Sequence, residues 1–162
     1  MEWLLQLNII VQTAVAMLLG GLVGIEREMS DKAAGLRTHM LVAGASALLI
    51  RLSTLLLQYF DQVNNITTIR SDPIRIIQAI VLGISFLGAG TIIRRGEQER
   101  IEGLTTAASI MISAAIGICV GIQKIGLALG IAILTVIVLN LLRFVERWIG
   151  SKKVSVRSRK DK

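Results

Sequence analysis

The chain has 162 residues, 53% of them hydrophobic, a single Pro and a mean hydropathy of +0.68, a composition that excludes an ordinary soluble globular domain. Its formal net charge of +7 comes from 18 Lys and Arg against 11 Asp and Glu, and these charges cut the sequence into long uncharged runs. The lone cysteine, Cys119, excludes an intramolecular disulfide and any cysteine-built metal site.

A hydrocarbon core of about 30 Å takes roughly 17–25 helical residues to cross. Five runs qualify: Trp3 to Ile25, Thr38 to Phe60 broken only by Arg51, Ile76 to Ile93, Gly103 to Gln123, and Ile125 to Leu142. The expected fold class is therefore an all-α, polytopic membrane protein with about five transmembrane helices. Residues 1–148 form one transmembrane domain, and 149–162 are expected to be a basic, mobile cytoplasmic tail with no soluble domain after it.

The first run is expected to remain in the mature protein, because Glu2 stands where a signal peptide has basic residues and no small-residue cleavage site follows. Thr13, Ala16, Gly20 and Gly24 share one of its faces, a small-residue stripe that lets helices approach closely in lipid. One further turn adds Arg27 and Glu28 to that face. The stretch "GIEREMSDKAAGLRTH", residues 24–39, thus gathers Glu26, Arg27, Glu28, Asp31, Lys32, Arg37 and His39 beside two apolar runs. A water interface needs no carboxylates, so the two Glu residues point to a cation or to a buried Arg such as Arg37. Should the cation be magnesium, Glu26, Glu28 and Asp31 are the candidate ligands. His39, with Thr38 at the start of the second run, reads as a hydrogen-bonding group rather than a catalyst.

Arg51 stands about 20 Å into its run, at about 1.5 Å per residue, where Arg costs roughly 2.5–3.5 kcal/mol to insert. It is expected to snorkel to the outer interface. An outer loop, "DQVNNITTIRSDPIR", follows and holds Asp72, Pro73 and Arg75. In the third run Gly83 and Gly90 continue a small-residue face, and Gly88 leaves its end bare. The segment "SFLGAGTIIRRGEQERIEGLTTAAS" leads through a charged turn to Gly103, Thr105 and Thr106, with Ser109 and Ser113 continuing the Thr106 face. A Thr cap and free helix amides suit an anion or a hydrogen-bonding ligand, and an ordinary capped membrane helix has the same pattern. The last two runs form a tight hairpin around Lys124, with small-residue steps at Gly117 and Gly121 and at Gly126 and Gly130.

With five spans, one side of the membrane receives 14 of the 18 Lys and Arg, in the 25–37 loop, the 94–102 loop and the basic stretch after Leu142, which begins with Arg143. The other side has only Arg70, Arg75 and Lys124, so the N-terminus is expected outside and the C-terminus in the cytoplasm. The positive charge is then an orientation signal, with the lipid bilayer as the partner and no nucleic acid. No His-Glu-x-x-His, Walker loop, Cys pair or dinucleotide fingerprint is present, which argues against an enzyme.

The segments "GGLVGIERE", "AGLRTH", "SDPIRIIQAIVLGISFLGAG" and "IEGLTTAAS", in this order, closely resemble the MgtC/SapB family of bacterial inner-membrane proteins over nearly all of residues 4–145. The resemblance implies a multi-pass protein of the inner membrane, associated with magnesium transport or homeostasis and in some members with survival in hosts. It also implies an alternative, a regulator of another membrane complex such as an ATPase, acting through helix contacts without transport of its own. The family's recurrent positions fall on Glu26, Arg27, Glu28, Gly35, Leu36, Arg37, Thr38, His39, Asp72, Pro73, Arg75, Gly88, Gly90, Gly103, Leu104, Thr105, Thr106 and Ser109. Magnesium is the ion it suggests, and a homo-oligomer is expected because the glycine faces exceed what five helices bury. This chain departs from the family at Met111, where a Trp is common, and in ending on a basic tail where many members have a soluble domain.

Overall fold

A computed structural model of the chain describes residues 2–64, 73–95 and 100–160. Five helices account for nearly all of them: α1 (Glu2–Met29), α2 (Leu36–Asn64), α3 (Pro73–Gly90), α4 (Leu104–Gly121) and α5 (Ile125–Lys160). The fold is helical as expected, with one addition. The charged connection between α3 and α4 is a short antiparallel ribbon of β1 (Ile93–Arg95) and β2 (Arg100–Glu102), paired Ile93 to Glu102 and Arg95 to Arg100.

Three helical stretches are long and apolar enough to cross a membrane: Trp3–Met29, Leu36–Tyr59 and Leu104–Gly121. The apolar stretches of α3 and α5, Ile74–Gly90 and Ile125–Leu141, are shorter. The expected mobile tail from 149 is a helical continuation of α5 through Lys160. No Pro follows residue 73, so nothing in the covalent chain stops that helix where its composition turns basic.

Two connections are set by the same backbone device. Asp31 and Gln123 take φ of 51° and 63°, the left-handed conformation that ends a helix. At the first, the amides of Asp31 and Lys32 return to the carbonyls of Glu28 and Arg27; at the second, those of Gln123 and Lys124 return to Val120 and Cys119. Each turn satisfies two orphan carbonyls and reverses the chain within a few residues.

α1, α2 and α4 pack against one another, and α5 lies against α1 and α4. The core joins Ala16, Leu19 and Val23 of α1, Ala47 of α2, Ile116 and Val120 of α4, and Ala128, Ala132 and Leu139 of α5. Glycines bring the backbones together. A Cβ at Gly20 would sit 2.5 Å from the His39 carbonyl oxygen, one at Gly24 would sit 2.7 Å from Leu36 Cα, and one at Gly117 would run into the Ala43 carbonyl. Large apolar side chains such as Leu18, Leu41, Leu82, Phe86 and Leu134 point outward, the surface that a lipid-facing helix presents.

Arg51 is half-buried, and its Nε is shut away from the surface with no hydrogen-bond partner among the described residues. The outer-loop residue Asp72 lies outside the described residues, and Arg75 is exposed near the start of α3.

Candidate functional site

The polar residues converge at one end of the molecule, where α1 ends, α2 and α4 begin, and α5 returns. Glu26 and Arg27 are only 5% and 4% exposed. Arg27 Nε donates to Glu26 Oε2 at 2.6 Å, Arg143 of α5 pairs through Nη2 with Oε1, and the Ser30 hydroxyl lies 2.9 Å from the same oxygen. One buried carboxylate therefore holds two guanidinium groups from different helices, a satisfied arrangement of the kind that burying charge requires.

The partner of this Glu was expected to be Arg37. Arg37 is exposed instead, because its place in the first turn of α2 turns it away from α1, and Arg143 takes the role. Sequence reasoning counted Arg143 only as part of the basic tail. The available signal was its position as the first charge after the apolar run of α5, at the same predicted side of the membrane as Glu26.

Glu28 has a different task. It is exposed, and its Oε2 accepts from the Leu36 amide at 2.9 Å, capping α2 from eight residues upstream. A Cβ at Gly35 would overlap the Glu28 carboxylate and make it swing away from the Leu36 amide. His39 is fully buried; its Nδ1–H donates to the Gly35 carbonyl at 2.8 Å, and Nε2 lies 3.0 Å from Ser109 Oγ on α4. The Ser109 hydroxyl also lies 2.8 Å from the Thr106 carbonyl of its own helix, so that carbonyl and the neutral imidazole compete for its one proton, and through Ser109 the one His ties α2 to α4.

Neither Thr caps α4. The N-cap is Gly103, at a φ of 93° that favours glycine, with no side-chain cap. A Cβ there would also strike the Thr91 carbonyl. Thr106 is buried and Thr105 exposed, and both, with Gly103, line a cavity of about 480 Å³ together with Arg27, Met29, Ser30, Asp31, Lys32, Leu139 and Arg143. Thr38 is half-buried at the start of α2. The expected cluster thus comes together in part, with Arg143 added and Arg37 left outside.

The three carboxylates proposed for a metal do not form one centre. Glu26 is occupied by cations, Glu28 by an amide, and Asp31 is exposed at the turn. Among the described residues no three His, Cys, Asp or Glu side chains lie close enough to hold a metal ion. Of the glycines assigned to packing, Gly20 and Gly24 meet α2, and a Cβ at Gly88 would reach the Ala107 side chain of α4 at 3.4 Å. Gly83 and Gly90 meet nothing within 4 Å among the described residues, since α3 presents those positions outward.

No solved structure matches the chain at a significant level. Its relatives among curated proteins include an uncharacterized protein of Haemophilus influenzae, 36% identical over 138 residues, covering 85% of this chain and 57% of the relative. A second is the Escherichia coli K12 protein named "Putative magnesium transporter YhiD", 39% identical over 132 residues, 81% of this chain and 59% of the relative. A third is protein MgtC of Salmonella paratyphi A, 38% identical over 159 residues, 98% of this chain and 63% of the relative. The chain spans about three fifths of the length of these relatives. Together with its apolar helices, this kinship makes it a multi-pass protein of the bacterial inner membrane. The profile of the MgtC family matches residues 13–148, and the chain belongs to that family.

Proposed function

We propose that this protein serves magnesium homeostasis and that its working part is the polar end where α1, α2, α4 and α5 meet. The observation that carries this reading is the buried Glu26 carboxylate gripped by Arg27 and Arg143 in an otherwise apolar assembly. Burying ionisable groups is costly, and clusters of them in a protein interior often belong to functional sites. The magnesium link is supported by the name of the Escherichia coli relative. In this reading all five helices cross the membrane, the N-terminus is outside, and the polar end faces the cytoplasm, where most of the Lys and Arg fall. No catalytic step is part of the proposal.

The test is growth under magnesium limitation of a strain lacking its own copy, supplied with wild type, Glu26→Gln or Ser109→Ala. Both variants are expected to insert at wild-type levels and to lose growth support. Wild-type growth from both would remove the polar end from the function.

A second reading, the regulator of another membrane complex, is favoured by the glycines that nothing covers. Gly83, Gly90, Gly126 and Gly130 all meet no atom within 4 Å among the described residues, leaving shallow grooves that a partner helix or a second copy fits. Under this reading Gly83→Leu abolishes function and crosslinking to the partner while leaving the isolated chain's stability unchanged. Magnesium flux into liposomes holding only the purified chain would instead show transport of its own.

A further inference from the structure

We infer that the cavity of about 480 Å³ at this polar end is a binding site for a phosphate group, held by Arg27, Arg143, Lys32 and the first turn of α4. The inference rests on the reading that this end is the working part of the protein and names the ligand chemistry it takes. The cavity lies within the range of small-molecule sites, about 300–1,000 Å³. Three cationic side chains line it against one carboxylate, Asp31. Glu26, behind them, engages Nε of Arg27 and Nη2 of Arg143. The remaining guanidinium donors have no partner among the described residues, so Glu26 positions both groups without using them up.

The fourth wall is the amino end of an 18-residue helix without a side-chain cap, whose first amides have no carbonyl of their own helix to meet. Thr106 supplies an independent sign of a ligand. It is 3% exposed, it lines the cavity, and its hydroxyl has no hydrogen-bond partner among the described residues. A hydroxyl on the cavity wall beside helix-start amides and guanidinium hydrogens offers an entering acceptor several donors at once. A phosphate offers three or more oxygens spread in three dimensions, enough to meet α1, α4 and α5 at once. The two coplanar oxygens of a carboxylate do not, and a bare cation is repelled by this lining and by the positive helix end. The phosphate has two sources, a soluble phosphate compound or the headgroup of a membrane lipid.

The test uses the purified full chain in a maltoside detergent, which carries no phosphate, titrated calorimetrically with inorganic phosphate and with dioctanoyl phosphatidic acid. Saturable binding of at least one probe is expected, weakened at least tenfold in Arg143→Gln and several-fold in Thr106→Val. Saturation by inorganic phosphate assigns the soluble source, and binding of phosphatidic acid alone assigns the headgroup. Should Arg143→Gln fail to fold, Lys32→Gln and Thr106→Val carry the comparison, because neither touches the Glu26 cluster. Absence of binding by both probes to folded wild type, or equal binding by the variants, overturns the inference. If binding fails while Glu26→Gln still loses growth support, the working-end reading survives alone; if binding holds while Glu26→Gln grows normally, only the phosphate site survives.

Discussion

Glu26 shows how one residue can decide the geometry of a whole cluster. Its carboxylate is shared by Arg27 and Arg143, so Glu26→Gln leaves two cations facing each other without their shared counter-charge. Removing one partner from a buried pair costs about 3–5 kcal/mol, and the low end applies because Arg143 keeps a path to solvent. The expected loss is about 3 kcal/mol, read from the denaturation midpoint in detergent, and the double variant Glu26→Gln/Arg143→Gln should lose less than the sum of the two singles. A full additive loss would mean the pair is not coupled. Glu28 and Gly35 give a second coupled pair at a smaller scale. Gly35→Ala displaces the carboxylate that caps Leu36, and Glu28→Ala removes it, so each is expected to cost about 1 kcal/mol, the worth of a helix cap. The double variant should cost no more than either alone, and an additive result would show that Gly35 is needed for another reason.

The helices themselves are legible in the sequence, because an apolar run of spanning length is a local property of composition. What closes them is not. The αL turns at Asp31 and Gln123 use residues that carry no glycine signal, and the cap of α4 is Gly103 although Thr105 and Thr106 are the better-known capping types. Small-residue stripes are recognisable as a class but cannot be sorted, since Gly117 and Gly130 look alike in sequence. They differ in what faces them. A Cβ at Gly117 would enter the Ala43 carbonyl, a backbone atom that cannot swing aside, whereas one at Gly130 meets nothing within 4 Å among the described residues. Gly117→Ala is therefore expected to cost about 3 kcal/mol as α2 and α4 are forced apart. Gly130→Ala, in the interior of α5, is expected to gain up to about 1 kcal/mol from helix propensity. Unfolding of both variants in the same detergent checks the contrast, and equal losses would place a contact at Gly130 that the isolated chain does not have.

At the level of the whole molecule, the pairing of ends follows from the short connections. α1 and α2 are joined by six residues, Ser109 at the start of α4 meets His39 at the start of α2, and Arg143 midway along α5, just past its apolar stretch, meets Glu26 late in α1. The turn at 122–124 must then lie at the opposite end, one helix length of α4 away. The sequence supports this alternation through charge alone, yet it cannot show that Arg143 and Glu26 touch, because a contact 117 residues apart in the chain has no local signature. The orientation proposed from the Lys and Arg count can be decided with two single cysteines, Lys32→Cys and Lys124→Cys, each in a Cys119→Ser background. Both lysines are exposed at opposite ends, so neither label depends on opening the core. A membrane-impermeant maleimide added to spheroplasts is expected to label Lys124→Cys and to reach Lys32→Cys only after lysis. The reverse pattern would turn the polar end outward and set the charge bias against the fold. Labelling of both before lysis would mean that α4 does not cross the membrane, and the convergence of four helices at Glu26 would then have to form at one surface.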